Sequence, residues 1–144
     1  MILTAVNHKV ASVVDAATGE VVIIVKMTDF KFEKKRMQEH FNENYVESER
    51  YPKATFNWTI TNNVEIDYTT SGTYKVQVTG DMTIHGITRV ISTKGSVEVT
   101  GQGITARTEF QLNPEDYNIK IPKVVRKNIA ESMEINAELP CLLI

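Results

Sequence analysis

The sequence predicts an all-β fold, an antiparallel barrel or sandwich, and three observations carry that prediction. Apolar and polar side chains alternate along most of the chain, short glycine-containing turns separate the alternating stretches, and one segment alone follows a helical period. With 144 residues, 42% of them hydrophobic, the chain can bury one core and reads as a single domain over 1–144.

Each element follows from its pattern. Residues 4–14 read as a first, weakly patterned strand, and Ala17-Thr18-Gly19 supplies the turn after it. Residues 20–32 form a strand that is apolar on both faces at its start. Val21, Ile23, Val25 and Met27 share one face, while Val22, Ile24, Phe30 and Phe32 share the other. A strand with one wet face does not need that, so one face is expected to line an interior and the other to lie under a helix or a partner subunit.

Residues 33–45 break the alternation: Met37, His40, Phe41 and Tyr45 recur at spacings of three and four, with Lys34, Lys35, Gln38, Glu39 and Glu43 between them, which predicts an amphipathic helix. Alternation returns at Ala54, Phe56, Trp58 and Ile60. It is clearest in 73–85, where Tyr74, Val76, Val78, Met82 and Ile84 oppose Lys75, Gln77, Thr79, Asp81 and Thr83. Gly80 falls on the apolar face, a position that suits a bend or bulge. His85-Gly86 makes a turn into a strand over 87–100, and Gly101-Gln102-Gly103 makes the next, into Ile104, Ala106, Thr108, Phe110 and Leu112. Pro114 and Pro122 argue against a long helix around Asp116. The last strand carries Met133, Ile135, Ala137 and Leu139 against Glu134, Asn136 and Glu138.

Composition excludes several functions. The net charge of −2 (16 Lys and Arg against 18 Asp and Glu) is not that of a nucleic-acid binder. The longest apolar run, Val21-Val22-Ile23-Ile24-Val25, is far shorter than the roughly 20 residues of a membrane-spanning helix. No signal-peptide pattern opens the chain. The lone Cys141 leaves no intrachain disulfide and no multi-cysteine metal site.

Residues able to carry chemistry are sparse. His8, His40 and His85 fall in neither a His-x-His pair nor a His-Glu-x-x-His helix, and no Gly-x-Ser-x-Gly elbow is present. No catalytic residue, metal site or cofactor is predicted. His85 beside Gly86 reads as a turn histidine. The alternative is an enzyme acting through His85 and Asp81. Lys120, Lys123, Arg126 and Lys127 form a basic cluster, either a solvated loop or an anion contact at a pocket mouth. The Phe, Tyr, Trp and Met set is either core or the lining of an apolar cavity.

Several ordered motifs add a resemblance. Residues 37–48, Met-Gln-Glu-His-Phe-Asn-Glu-Asn-Tyr-Val-Glu-Ser, lead into Tyr51-Pro52-Lys53-Ala54-Thr55-Phe56. Gly80-Asp81-Met82-Thr83-Ile84-His85-Gly86 follows, and then Asn113-Pro114-Glu115-Asp116-Tyr117 and Pro122-Lys123-Val124-Val125-Arg126-Lys127. Together they resemble the YceI-like family of lipocalin-like proteins over roughly residues 6–138, and the last two segments resemble a branch common in Bacteroidetes-type bacteria.

The resemblance implies an antiparallel lipocalin-like barrel with a helix near one end and an apolar interior holding a long-chain isoprenoid-type lipid. It also implies export, usually to the periplasm, and pairing of subunits into a homodimer. The family pattern has a signal peptide and a first strand upstream of Val6, and here only five residues precede Val6. An incomplete barrel with unpaired edges is therefore expected.

In such a barrel the apolar phase of each strand faces inward, giving Val22, Ile24, Phe30, Phe56, Trp58, Val76, Val78, Met82, Ile84 and Phe110 as ligand-lining residues. Met37, Phe41 and Tyr45 would pack on the barrel and close or gate one end, and Lys123, Arg126 and Lys127 would meet an anionic head group. The predicted function is binding and carriage or storage of that lipid, not catalysis. The alternatives are an enzyme working on the lipid head group through His85 and Asp81, or a barrel serving only as an interaction scaffold.

Overall fold

The computed structural model describes residues 5–32, 35, 39, 42–43, 47–119 and 133–144. Nine strands follow one another among these residues: β1 (Ala5–Val6), β2 (Ala11–Val14), β3 (Glu20–Lys26), β4 (Lys31–Phe32), β5 (Lys53–Ile60), β6 (Gly72–Ile84), β7 (Ile87–Thr100), β8 (Gly103–Leu112) and β9 (Met133–Leu143). Seven close into a barrel in the order β2-β3-β5-β6-β7-β8-β9, and β1 pairs with β4 in a separate ribbon. The helix expected over 33–45 lies largely outside the described residues. No helix among the described residues is long and apolar enough to cross a membrane.

The open barrel expected from the short N-terminal stretch is not what forms. Ala11–Val14 serves as the first barrel strand, antiparallel to β3 and parallel to β9, and this second pairing shuts the ring. The parallel seam is short, joining Val13 to Leu142 and Val14 to Leu143. Ile144 N–H donates to the Val14 carbonyl at 2.9 Å, and Ala16 N–H donates to the Ile144 carbonyl at 2.9 Å. Ser12 Oγ donates to the Pro140 carbonyl at 2.9 Å, a side-chain link beside a residue that has no N–H of its own. The edges that an open barrel would expose therefore pair with each other.

Connections follow the turn residues. β6 and β7 are joined by His85 and Gly86 alone, between the paired Ile84 and Ile87. Both take positive φ, 56° and 74°, the left-handed geometry of a two-residue hairpin turn. The break after β3 is a short 3-10 turn at Met27–Asp29, which buries Met27. Another 3-10 turn, Pro114–Tyr117, stands where the two prolines argue against a long helix.

Register fixes which side chains face inward. Trp58 pairs with Val21 on one side and Gly80 on the other, and Phe56 pairs with Ile23 and Met82. Val76, Val78, Met82 and Ile84 are buried, and Lys75, Gln77 and Asp81 are exposed, as the alternation predicts. The pairing runs through Gly80 without a bulge. Its φ of +155° and its closeness to β5 explain the glycine: an added Cβ would lie 2.2 Å from Asn57 O and 2.7 Å from Trp58 Cα. Gly80→Ala is expected to cost about 1–3 kcal/mol in thermal denaturation. Gly101→Ala, where an added Cβ meets nothing within 4 Å, should stay within about 0.5 kcal/mol.

Candidate ligand-binding interior

The barrel interior is the chemically distinctive region. On β5 the inward phase is Ala54, Phe56, Trp58 and Ile60, and on β6 it is Val76, Val78, Met82 and Ile84. β7 adds Val97 and Val99, β8 adds Ile104 and Leu112, and all four are buried. Phe30, Phe56 and Phe110 are partly buried and pack on this core.

One correction concerns β3. Val22 and Ile24, expected inside, point outward and are 41% and 40% exposed, while Val21, Ile23 and Val25 are buried. The reason is register: Val21, Ile23 and Val25 stand opposite Trp58, Phe56 and Ala54, so they share the inward phase of β5. The signal was available in the ends of the strand. Glu20 and Lys26 fall on the same phase as Val22 and Ile24, and charged side chains at both ends mark that face as the wet one.

Trp58 reaches across the interior. Its ring stands edge-on to Phe56 of its own strand at 5.2 Å and 81°. It stands likewise to Phe110 at 6.0 Å and 72°. β5 and β8 are not neighbours, since β6 and β7 lie between them on one side and β3, β2 and β9 on the other. The Trp58–Phe110 contact therefore spans the barrel, in the edge-to-face geometry that aromatic pairs favour.

Polar groups on the inward phase are internally bonded. Thr108 Oγ1 donates to the Lys94 carbonyl at 3.0 Å, and Ser12 is held by Pro140. The exception is Trp58, which is 4% exposed and whose Nε1–H has no hydrogen-bond partner among the described residues.

Near one mouth of the barrel sits His85. Its Nδ1–H donates to the Tyr117 carbonyl at 3.0 Å, and its Nε2 meets Glu47 Oε2 at 2.5 Å. The Tyr51 ring packs edge-on to the imidazole at 4.5 Å. Asp81, the partner expected for a head-group reaction, is on the outer face, and neither ring nitrogen of His85 is bonded to it. Glu47, a carboxylate that the sequence places in a solvated loop, holds the imidazole instead, 38 residues away in the chain. His85 thus ties the β6–β7 turn to the stretch before β5 and to the 3-10 turn after β8, a structural role. Burial pushes the Tyr117 hydroxyl above its ordinary pKa. No group of three or more metal-ligating side chains gathers among the described residues. Met37, Phe41, Tyr45, Lys123, Arg126 and Lys127 lie outside the described residues.

A groove on the outer face carries mixed charge, lined by Lys75, Lys94, Arg107, Glu109 and Glu138. Arg107 stands 3.6 Å from Glu98 and from Glu138, in exposed ion pairs of small energetic weight.

Residues 3–140 match the sequence profile of the YceI-like domain. The chain belongs to the YceI-like family. Solved structures show the same fold. The Campylobacter jejuni YceI protein superposes with a TM-score of 0.70 at 14% identity, covering 94% of this chain and 82% of that one. BcnA of Burkholderia cenocepacia gives 0.72 at 19% identity, covering 90% and 80%. A protein of Saccharophagus degradans, described as a polyisoprenoid binding domain implicated in plant cell wall breakdown, gives 0.63 at 15% identity, covering 81% of this chain and 64% of that one. No curated protein matches the sequence.

The mouth contacts make a direct prediction. His85→Ala strands the Tyr117 carbonyl, in a residue only 2% exposed, and should lower stability by about 1–3 kcal/mol in thermal or denaturant unfolding.

Proposed function

We propose that this YceI-like protein binds a long-chain isoprenoid-type lipid inside its barrel and carries or stores it. The observation that carries the reading is the apolar phase turned inward on consecutive strands, from Val21, Ile23 and Val25 through Phe56 and Trp58 to Val76, Val78, Met82 and Ile84. An interior of that kind suits a ligand that is itself almost wholly hydrocarbon. Burial of each CH₂ contributes about 0.8 kcal/mol, so a long isoprenoid needs no charged anchor to bind tightly. The description of the Saccharophagus degradans neighbour supports the same ligand class.

Within this reading Phe30, Phe56, Trp58, Val76, Val78, Met82, Ile84 and Phe110 contact the chain of the lipid, joined by Met37 and Phe41. Lys123, Arg126 and Lys127 meet an anionic head group if the lipid carries one. The reading includes an exported protein that works as a homodimer, from the Bacteroidetes-type branch of the family, and it assigns no catalytic step.

Native mass spectrometry together with organic extraction of the purified protein tests the proposal. A co-purifying long-chain isoprenoid, or saturable uptake of one that displaces a hydrophobic dye, is the expected result. Empty extracts with no uptake would make the barrel a filled core and the protein an interaction scaffold.

A further inference from the structure

We infer that the indole N–H of Trp58 selects for apolar ligands that carry a hydrogen-bond acceptor, an oxygen of ketone, ether or hydroxyl type, over bare hydrocarbons. The inference rests on the lipid-binding reading and goes beyond it by naming a polar determinant inside an otherwise apolar barrel.

The argument starts from an unmet donor. Trp58 is 4% exposed, and Nε1 has no hydrogen-bond partner among the described residues. Buried N–H groups are rarely left so, because the loss of hydration is not recovered. Packing alone does not explain the residue. Its ring neighbours are Phe56 and Phe110, which offer only π faces, and those are weak acceptors. A third phenyl ring could make edge-to-face contacts there with no donor to satisfy.

The inward-phase hydroxyls of Ser12 and Thr108 donate to the Pro140 and Lys94 carbonyls, and neither oxygen accepts from Trp58 Nε1. What is left is one buried N–H on a ring that touches the far wall through Phe110, with no hydrogen-bond partner among the described residues. A ligand oxygen seated against the ring would complete that bond in an environment without competing water, where the preference for an acceptor is largest.

Two titrations decide it, with farnesylacetone, an isoprenoid ketone, and with the hydrocarbon of the same carbon skeleton. Trp58 is the single tryptophan in the sequence, so the indole N–H gives one cross-peak in a ¹H–¹⁵N spectrum. The expected result is about tenfold tighter binding of the ketone, equivalent to about 1.4 kcal/mol, with a downfield move of the indole proton for the ketone only. In Trp58→Phe the two ligands should bind alike, at the affinity of the hydrocarbon in the parent protein. Equal affinities and equal spectral changes in the parent protein would overturn the inference and leave lipid binding standing. Binding of neither ligand, together with empty extracts, would overturn both. Should Trp58→Phe fail to fold, the indole resonance of the parent protein is decisive by itself.

Discussion

The pairing of Trp58 with Gly80 is the constraint on which the rest of the barrel depends. The backbones of β5 and β6 approach so closely there that no side chain fits at position 80. A slip of one residue would place Asp81 or Thr79 opposite Trp58 and turn Lys75 and Gln77 into the interior. The glycine and the tryptophan thus lock a register, and the register fixes the inward phase of β3, β5, β6 and β7 in turn. Held at this position, the Trp58 ring meets Phe110 on the far wall.

Much of this is legible in the amino-acid sequence, because alternation is a local property. The phase of β6 follows from Lys75, Gln77 and Asp81 interleaved with Val76, Val78 and Met82. The turn at His85 and Gly86 follows from residue type. β3 misleads because Val21 to Val25 is apolar without interruption, so local pattern gives no phase. The decision comes from β5 across the hairpin pairing and from the charged ends Glu20 and Lys26.

Contacts between distant segments are not legible in the same way. Glu47 on His85, the Ser12 link to Pro140 and the parallel seam of β2 with β9 join residues that no local period connects. The family resemblance supplied the barrel, but the same family pattern argued for an open one. Four residues, Ala11–Val14, suffice to shut it. The unbonded indole nitrogen is equally hidden, because alternation shows that position 58 faces inward but not what surrounds it.

Closure by a parallel seam also has a kinetic side. Ser12 and Pro140 are 128 residues apart, so the step that finishes the ring is also among the least local. Hairpins such as β6–β7 can form early from neighbouring residues, but the seam must wait until β9 is made and positioned, and its loop-closure entropy is met late. During that wait β2 and β8 each present an unpaired edge, and Val22 and Ile24 face solvent on β3 beside β2, a combination that invites pairing with another chain. The nascent chain is therefore most exposed to aggregation in the interval between completing β8 and docking β9, and slow synthesis through 113–132 would lengthen that interval.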